Sequence, residues 1–176
     1  MTVYVPEATP ATGNVKLWVV VTIASLTAPK VATEIGAATS VDASQYIYSN
    51  SWAPALDQGK GQARRRVGTK RNQERLNTPV ETLPNLEYVF NPQLPDTDPI
   101  NKLYAALTPG AIVHFVERLG MDTDAAAAAG QYGNVYKVRL GERSTLAPTD
   151  DENADIYVTQ GLINTIPVTR RAIFAA

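Results

Sequence analysis

Hydrophobic residues in this chain fall mostly in short runs with strand character, and only once in a helical repeat. "VKLWVVVTI" (Val15 to Ile23) is β-branched and aromatic-rich, the pattern of a largely buried strand. "SQYIYSNS" (Ser44 to Ser51) is the next predicted strand. In "LEYVFN" (Leu86 to Asn91), Leu86, Tyr88 and Phe90 share one face, with Glu87 and Asn91 on the other. "AIVHFVERL" (Ala111 to Leu119) is apolar almost throughout, which predicts a strand covered on both sides. "NVYKVRLG" places Tyr136, Val138 and Leu140 opposite Lys137 and Arg139. "IYVTQGLINTIPVTRRAIF" is a late β-rich stretch, interrupted by Gly161 and Pro167.

The helical exception is "DPINKLYAALTPG". Asp98 is a good N-cap, and Pro99 stands at the first helical position, where its missing N–H is harmless. Ile100, Leu103, Tyr104 and Leu107 form one apolar stripe, and Pro109–Gly110 stop the helix. "DTDAAAAAGQYG" (Asp122 to Gly133) has alanine propensity but no stripe to anchor it, so it reads as a loop with at most one turn. "ERSTLAPTDDENAD" (Glu142 to Asp155) reads as an exposed acidic loop. The pattern predicts a β-rich α+β fold: a β-sandwich or barrel with one flanking α-helix over Asp98–Leu107. There is no tandem repeat and no internal boundary, so residues 1–176 read as one domain.

Composition narrows the function classes. At 44% hydrophobic and 19% charged residues, the chain is an ordinary globular one. It has no cysteine, which removes disulfides, Cys-ligated zinc and thiol catalysis. The apolar run near the N-terminus is too short to span a bilayer and contains Lys16, and "MTVYVPEATP" lacks the positive start of a secretory signal. A soluble, untargeted protein is the expectation.

Candidate chemistry is sparse. His114 is the only histidine and lies inside an apolar run, so a structural, hydrogen-bonded histidine is expected. One histidine and no cysteine leave little material for Ser–His–Asp or zinc sites. The acids of "TDDENAD" lack the glycine and terminal glutamate of a calcium loop. "DQGKGQARRR" does not fit the spacing of a phosphate loop, and "GAATS" does not fit a dinucleotide fingerprint. No catalytic, cofactor or metal site is predicted.

Charge is the remaining signal. "GKGQARRRVGTKRN" carries six basic residues, Lys60, Arg64, Arg65, Arg66, Lys70 and Arg71, in a chain of net charge -1. It has the charge of a nucleic-acid contact but no interleaved aromatics. A plain solvated loop is a second reading. The third is a subunit contact, for which the acidic loop bearing Asp150, Asp151, Glu152 and Asp155 supplies an opposite patch on the same chain. Such patches on identical subunits suit head-to-tail assembly.

The order of elements resembles a known family. "VATEIGAATSVD", a long polar excursion, and then "LEYVFNPQLPDTDPINKLYAALTPGAIVHFVERLG" resemble the major tail tube proteins of long-tailed, non-contractile bacteriophages, most of all those infecting actinobacteria. The elements that carry the likeness are Tyr88–Val89–Phe90–Asn91–Pro92, the Asp98 to Leu107 helix, Pro109–Gly110 and Glu117–Arg118–Leu119–Gly120. The likeness runs from about Val31 to Leu140; the Arg-rich excursion and the acidic loop fall outside the pattern. It implies a non-enzymatic virion protein without cofactors, built as a β-sandwich with a flanking helix. It further implies hexameric rings stacked into a hollow tail tube that delivers phage DNA. The implied partners are other copies of the chain, the tape measure protein and other tail proteins, with genomic DNA only in transit and no membrane. Synthesis in the host cytoplasm follows. A long loop reaching a neighbour is also implied, and by position "SWAPALDQGKGQARRRVGTKRN", about residues 50–72, takes that place. Another virion ring protein, a tail terminator or head–tail connector, is the alternative, followed by a nucleic-acid-binding module.

Overall fold

The computed structural model of the chain describes residues 8–68, 70–146 and 155–176. Strands β1 (Val15–Val20), β2 (Val41–Asp42), β3 (Ala55–Asp57), β4 (Lys60–Gln62), β5 (Glu74–Leu76) and β6 (Val80–Thr82) come first. They are followed by β7 (Leu86–Val89), helix α1 (Lys102–Ala106), β8 (Ile112–Leu119), β9 (Tyr132–Leu146), β10 (Tyr157–Asn164) and β11 (Thr169–Ile173). One antiparallel sheet runs in the order β2-β1-β8-β9-β10-β7 and curls into a half-barrel. β9 is long enough to hold β10 and then β11 in succession along one edge, with β8 along the other. The fold is β-rich with one short helix, as the residue pattern predicts.

Alternation explains why two strands read as unbroken apolar runs. Leu17 and Val19 of β1 join Val113 and Phe115 of β8 and Tyr136 and Val138 of β9 in the larger core cluster. Trp18, Val20, Val116 and Val135 point the other way, into a second cluster closed by Ile35, Ala172 and Phe174. β1 and β8 are therefore buried on both faces, so neither shows an apolar–polar alternation. Gly133 makes one of these approaches possible: a Cβ there would lie 2.7 Å from both the Glu117 carbonyl oxygen and Phe174 Cε1.

Three expectations need correction. The acidic loop expected from Glu142 begins later, because β9 runs on to Leu146 and pairs there with β10. Ser44–Ser51 is not a strand. The Ser44 N–H donates to Asp42 Oδ1, and the Tyr46 and Ile47 N–H groups both donate to the Ala43 carbonyl. These local bonds wind the segment into turns, leaving a single bridge from Ile47 to Tyr88. The helix begins where predicted, with Asp98 Oδ1 accepting from the Ile100 N–H, but its first turn, Pro99–Asn101, is a 3-10 turn. The tighter winding turns Ile100 out to solvent, and Asn101 takes the buried place. Asn101 donates to the carbonyls of Asn91 and Leu94 and accepts from the Asn91 N–H, which pins the Pro-rich loop ahead of the helix. At the other end, Arg143 and Gln160 donate to the Leu107 carbonyl, so side chains from β9 and β10 cap α1.

Candidate assembly surface

Residues 55–82 leave the main sheet as a two-stranded ribbon. Ala55–Asp57 pairs with Val80–Thr82, and Lys60–Gln62 pairs with Glu74–Leu76. The Ala63 N–H donates to the Gln73 carbonyl at 2.8 Å and carries the ladder toward the tip. Gly61 permits a close crossing, since a Cβ there would stand 2.8 Å from Asn77 Oδ1. The predicted excursion of about 50–72 is thus one half of a longer hairpin whose returning half ends at Thr82. Its strands escape a periodicity search because both faces are exposed, so nothing selects an apolar–polar alternation.

The tip gathers positive charge. Arg64, Arg65, Arg66, Arg71 and Arg75 line a shallow concavity of about 70 Å³, and no carboxylate among the described residues lines it. Four of these were sequence candidates; Arg75 was missed because it follows Glu74 in the returning strand and lies outside the basic run. Lys60 stands on the shaft, 3.9 Å from Glu74 Oε2, with both side chains largely exposed. Such a pair contributes little. Lys70 is exposed near the tip.

Of the acidic candidates, Asp155 accepts a hydrogen bond from the Tyr48 hydroxyl at 3.1 Å. Burial, and then the Asp155 carboxylate, push that hydroxyl's pKa up. Asp155 lies just before the Tyr157↔Val89 end of the β10/β7 pair, whereas the ribbon joins β7 at its Leu86 end. The structure does not bring it to the basic tip. Asp150, Asp151 and Glu152 lie outside the described residues.

The root of the arm is fastened at two points that sequence reading did not find. Trp52, three residues before β3, packs its rings against Phe115 and Tyr136 at 5.0 and 5.3 Å. Its indole N–H donates to Glu117 Oε1 at 2.8 Å, while Asn134 Nδ2 and the Tyr136 hydroxyl donate to Glu117 Oε2 at 2.9 Å. Glu117 is buried, and these donors compensate its lost hydration. Burial and the adjacent carboxylate push the Tyr136 hydroxyl's pKa up. On the other strand, Glu81 Oε2 accepts from the Val168 N–H at 2.8 Å, and Glu81 Oε1 pairs with Arg170 at 3.2 Å.

Arg118 organises the loop after β8. It is wholly buried, and its guanidinium donates to the carbonyls of Asp122, Ala125 and Ala126 and to Gln131 Oε1 at 2.8 to 3.0 Å. The alanine-rich segment is held by these bonds and forms no helix, matching the loop expected there.

A family model described as phage tail tube protein matches residues 1–176, the whole chain. The chain belongs to the phage tail tube protein family. No curated protein matches it. Two motifs that carried the resemblance have structural roles in this tail tube protein: Asn91–Pro92 is the turn clasped by Asn101, and Glu117–Arg118 anchors the arm root and the following loop. As a tail tube protein it is a structural component of the virion tail. Among the described residues, no group of three or more His, Asp or Glu side chains is placed to hold a metal ion, and no helix is long and apolar enough to cross a membrane. His114 is buried on β8; burial, then the Lys137 charge, lower its pKa, against backbone hydrogen bonds at Val20 and Val21 and the Glu34 charge. It lies on the face of β8 that Val116 turns toward the smaller core.

Proposed function

We propose that this chain is the major tail tube subunit of a long-tailed, non-contractile phage. In this reading copies assemble into hexameric rings, and the rings stack into a hollow tube through which DNA reaches the host. The observation that carries it is the arm. A two-stranded ribbon is marginally stable alone, and this one exposes Leu56, Val67, Leu76 and Val80 beside five clustered arginines. Apolar and charged surface of that kind is completed by another protein surface.

The arm tip then contacts neighbouring copies, with Lys60, Arg64, Arg65, Arg66, Lys70 and Arg71 as the basic side of the contact and Asp150, Asp151, Glu152 and Asp155 among the candidates for its acidic side. DNA passes without being held, because each phosphate neutralised by an unpaired cation adds salt-dependent affinity that would slow ejection. Other tail proteins, the tape measure protein among them, complete the tail. The test is negative-stain microscopy of concentrated protein, with and without Arg64→Ser, Arg65→Ser and Arg66→Ser together. Tubes from the parent and short or absent tubes from the triple variant support the proposal. Isolated rings would make it a terminator or connector, and normal variant tubes with unchanged salt tolerance would remove the arm from the contact.

A further inference from the structure

A groove of about 790 Å³ opens on the molecule apart from the arm tip, between residues 11–17, the 44–52 segment and the loop after β8. Val15, Leu17, Ile47 and Trp52 supply its apolar lining, and its charged lining residues are Asp122 and Asp124. Its size is in the range of clefts that bind ligands, roughly 300–1,000 Å³. The acidic rim is fixed in place. Arg118 holds the Asp122 carbonyl at 2.8 Å, Asp122 Oδ1 accepts from the Asp124 N–H at 2.8 Å, and Thr123 Oγ1 donates to the Val15 carbonyl at 2.9 Å. A receptor so ordered loses little freedom on binding.

We propose that this groove receives the arm tip of a second copy, with Arg64 and Arg65 set against Asp122 and Asp124 and Val67 laid over the apolar lining. The proposal rests on the reading of the chain as a self-assembling tube subunit. Signs and surfaces match: the tip is basic with a fully exposed valine, and the groove is apolar with an acidic rim. That match assigns the groove to the arm of a different copy, since no described arm residue of the same copy lines it. Each copy therefore offers one arm and one groove. Two copies joined by one such contact still present a free arm and a free groove, so the contact propagates. Trp52 ties the two ends together, since it lines the groove and anchors the root of its own copy's arm.

The chain's lack of cysteine makes a cross-linking test unambiguous. Full-length Arg65→Cys and Ser49→Cys, both at exposed positions, are mixed under assembly conditions, oxidised and run on a non-reducing gel. A disulfide-linked dimer is expected in the mixture, well above either variant alone. Adding Asp122→Asn and Asp124→Asn to the Ser49→Cys partner should cut the yield up to about fivefold, the effect of losing the Arg64 ion pair that remains once Arg65 is cysteine. Asparagine keeps the Oδ1 acceptor, and an unchanged circular dichroism spectrum checks the fold. No cross-link above the single-cysteine controls, or a cross-link of Arg65→Cys to Asp151→Cys in place of Ser49→Cys, overturns the groove while leaving tubes in the micrographs intact. If instead the parent protein forms no rings or tubes, the proposed function fails. The groove then stands or falls on the same cross-link in soluble oligomers.

Discussion

Replacing Arg118 by methionine tests how the groove rim is held. Methionine keeps much of the apolar stem against Trp18, over whose ring the guanidinium lies at 5.4 Å, but removes every donor. The hydrogen bonds lost run to three backbone carbonyls and the Gln131 amide oxygen. Hydrogen bonds from a charged donor contribute about 1.5–3 kcal/mol each, so the gross loss is large. Against it stands the desolvation of a wholly buried guanidinium, several kcal/mol, which methionine does not incur. Each of these acceptors left without a donor and out of reach of water costs about 1–3 kcal/mol, so a net loss of about 2–5 kcal/mol is expected, a large share of the roughly 5–15 kcal/mol that holds a domain folded. Urea unfolding followed by circular dichroism, at concentrations too low for assembly, measures the loss. Hydrogen exchange across residues 121–131 locates it, and faster exchange confined to that loop is expected. Arg118→Lys should fall between parent and methionine, because an ammonium cannot reach carbonyls spread across a planar fork. A loss under about 1 kcal/mol with unchanged protection of residues 121–131 would refute the assignment of Arg118 as the loop's anchor.

Other substitutions probe the arm root and the two-sided sheet. Glu117→Gln puts an amide donor among three existing donors, and should cost about 1–3 kcal/mol and shift Trp52 fluorescence; an unshifted spectrum would count against the Trp52 anchor. Gly133→Ala forces a methyl into backbone and the Phe174 ring, and a loss of about 1–3 kcal/mol is expected from thermal melts. The pKa of His114 is lowered in the folded state, so the unfolded chain binds its proton first as pH falls. Stability from this residue is complete above its unfolded pKa of about 6.5 and declines below it, by at most about 1.4 kcal/mol per pH unit. His114→Phe should flatten that part of the stability–pH curve, and a curve of unchanged slope there would show that the residue is not the source.

Strands buried on both faces announce themselves by composition alone. Val15–Val20 and Ile112–Leu119 were legible for that reason, and the Asp98 cap with Pro99 and the Leu103–Leu107 spacing fixed where the helix lies. The basic cluster was equally plain in the residues, since charge needs no fold to be counted. The ribbon that carries it was not. Its strands are exposed on both faces, so no alternation marks them, and Arg75 joins the tip only because antiparallel pairing sets it opposite Gly61, where it lines the same concavity as Arg64. Ser44–Ser51 misled in the opposite sense, its aromatic alternation overridden by local bonds to Asp42 and Ala43. The groove was the least visible feature of all, because Asp122 and Asp124 sit in an alanine-rich stretch with no pattern of its own. Only a buried arginine drawing carbonyls from consecutive turns places those acids beside Trp52, a neighbour seventy residues earlier. The sequence by itself determined the buried strands, the helix and the excess of charge. Tertiary structure decided which charges meet, because register, turns and buried hydrogen bonds depend on contacts between residues far apart in the chain.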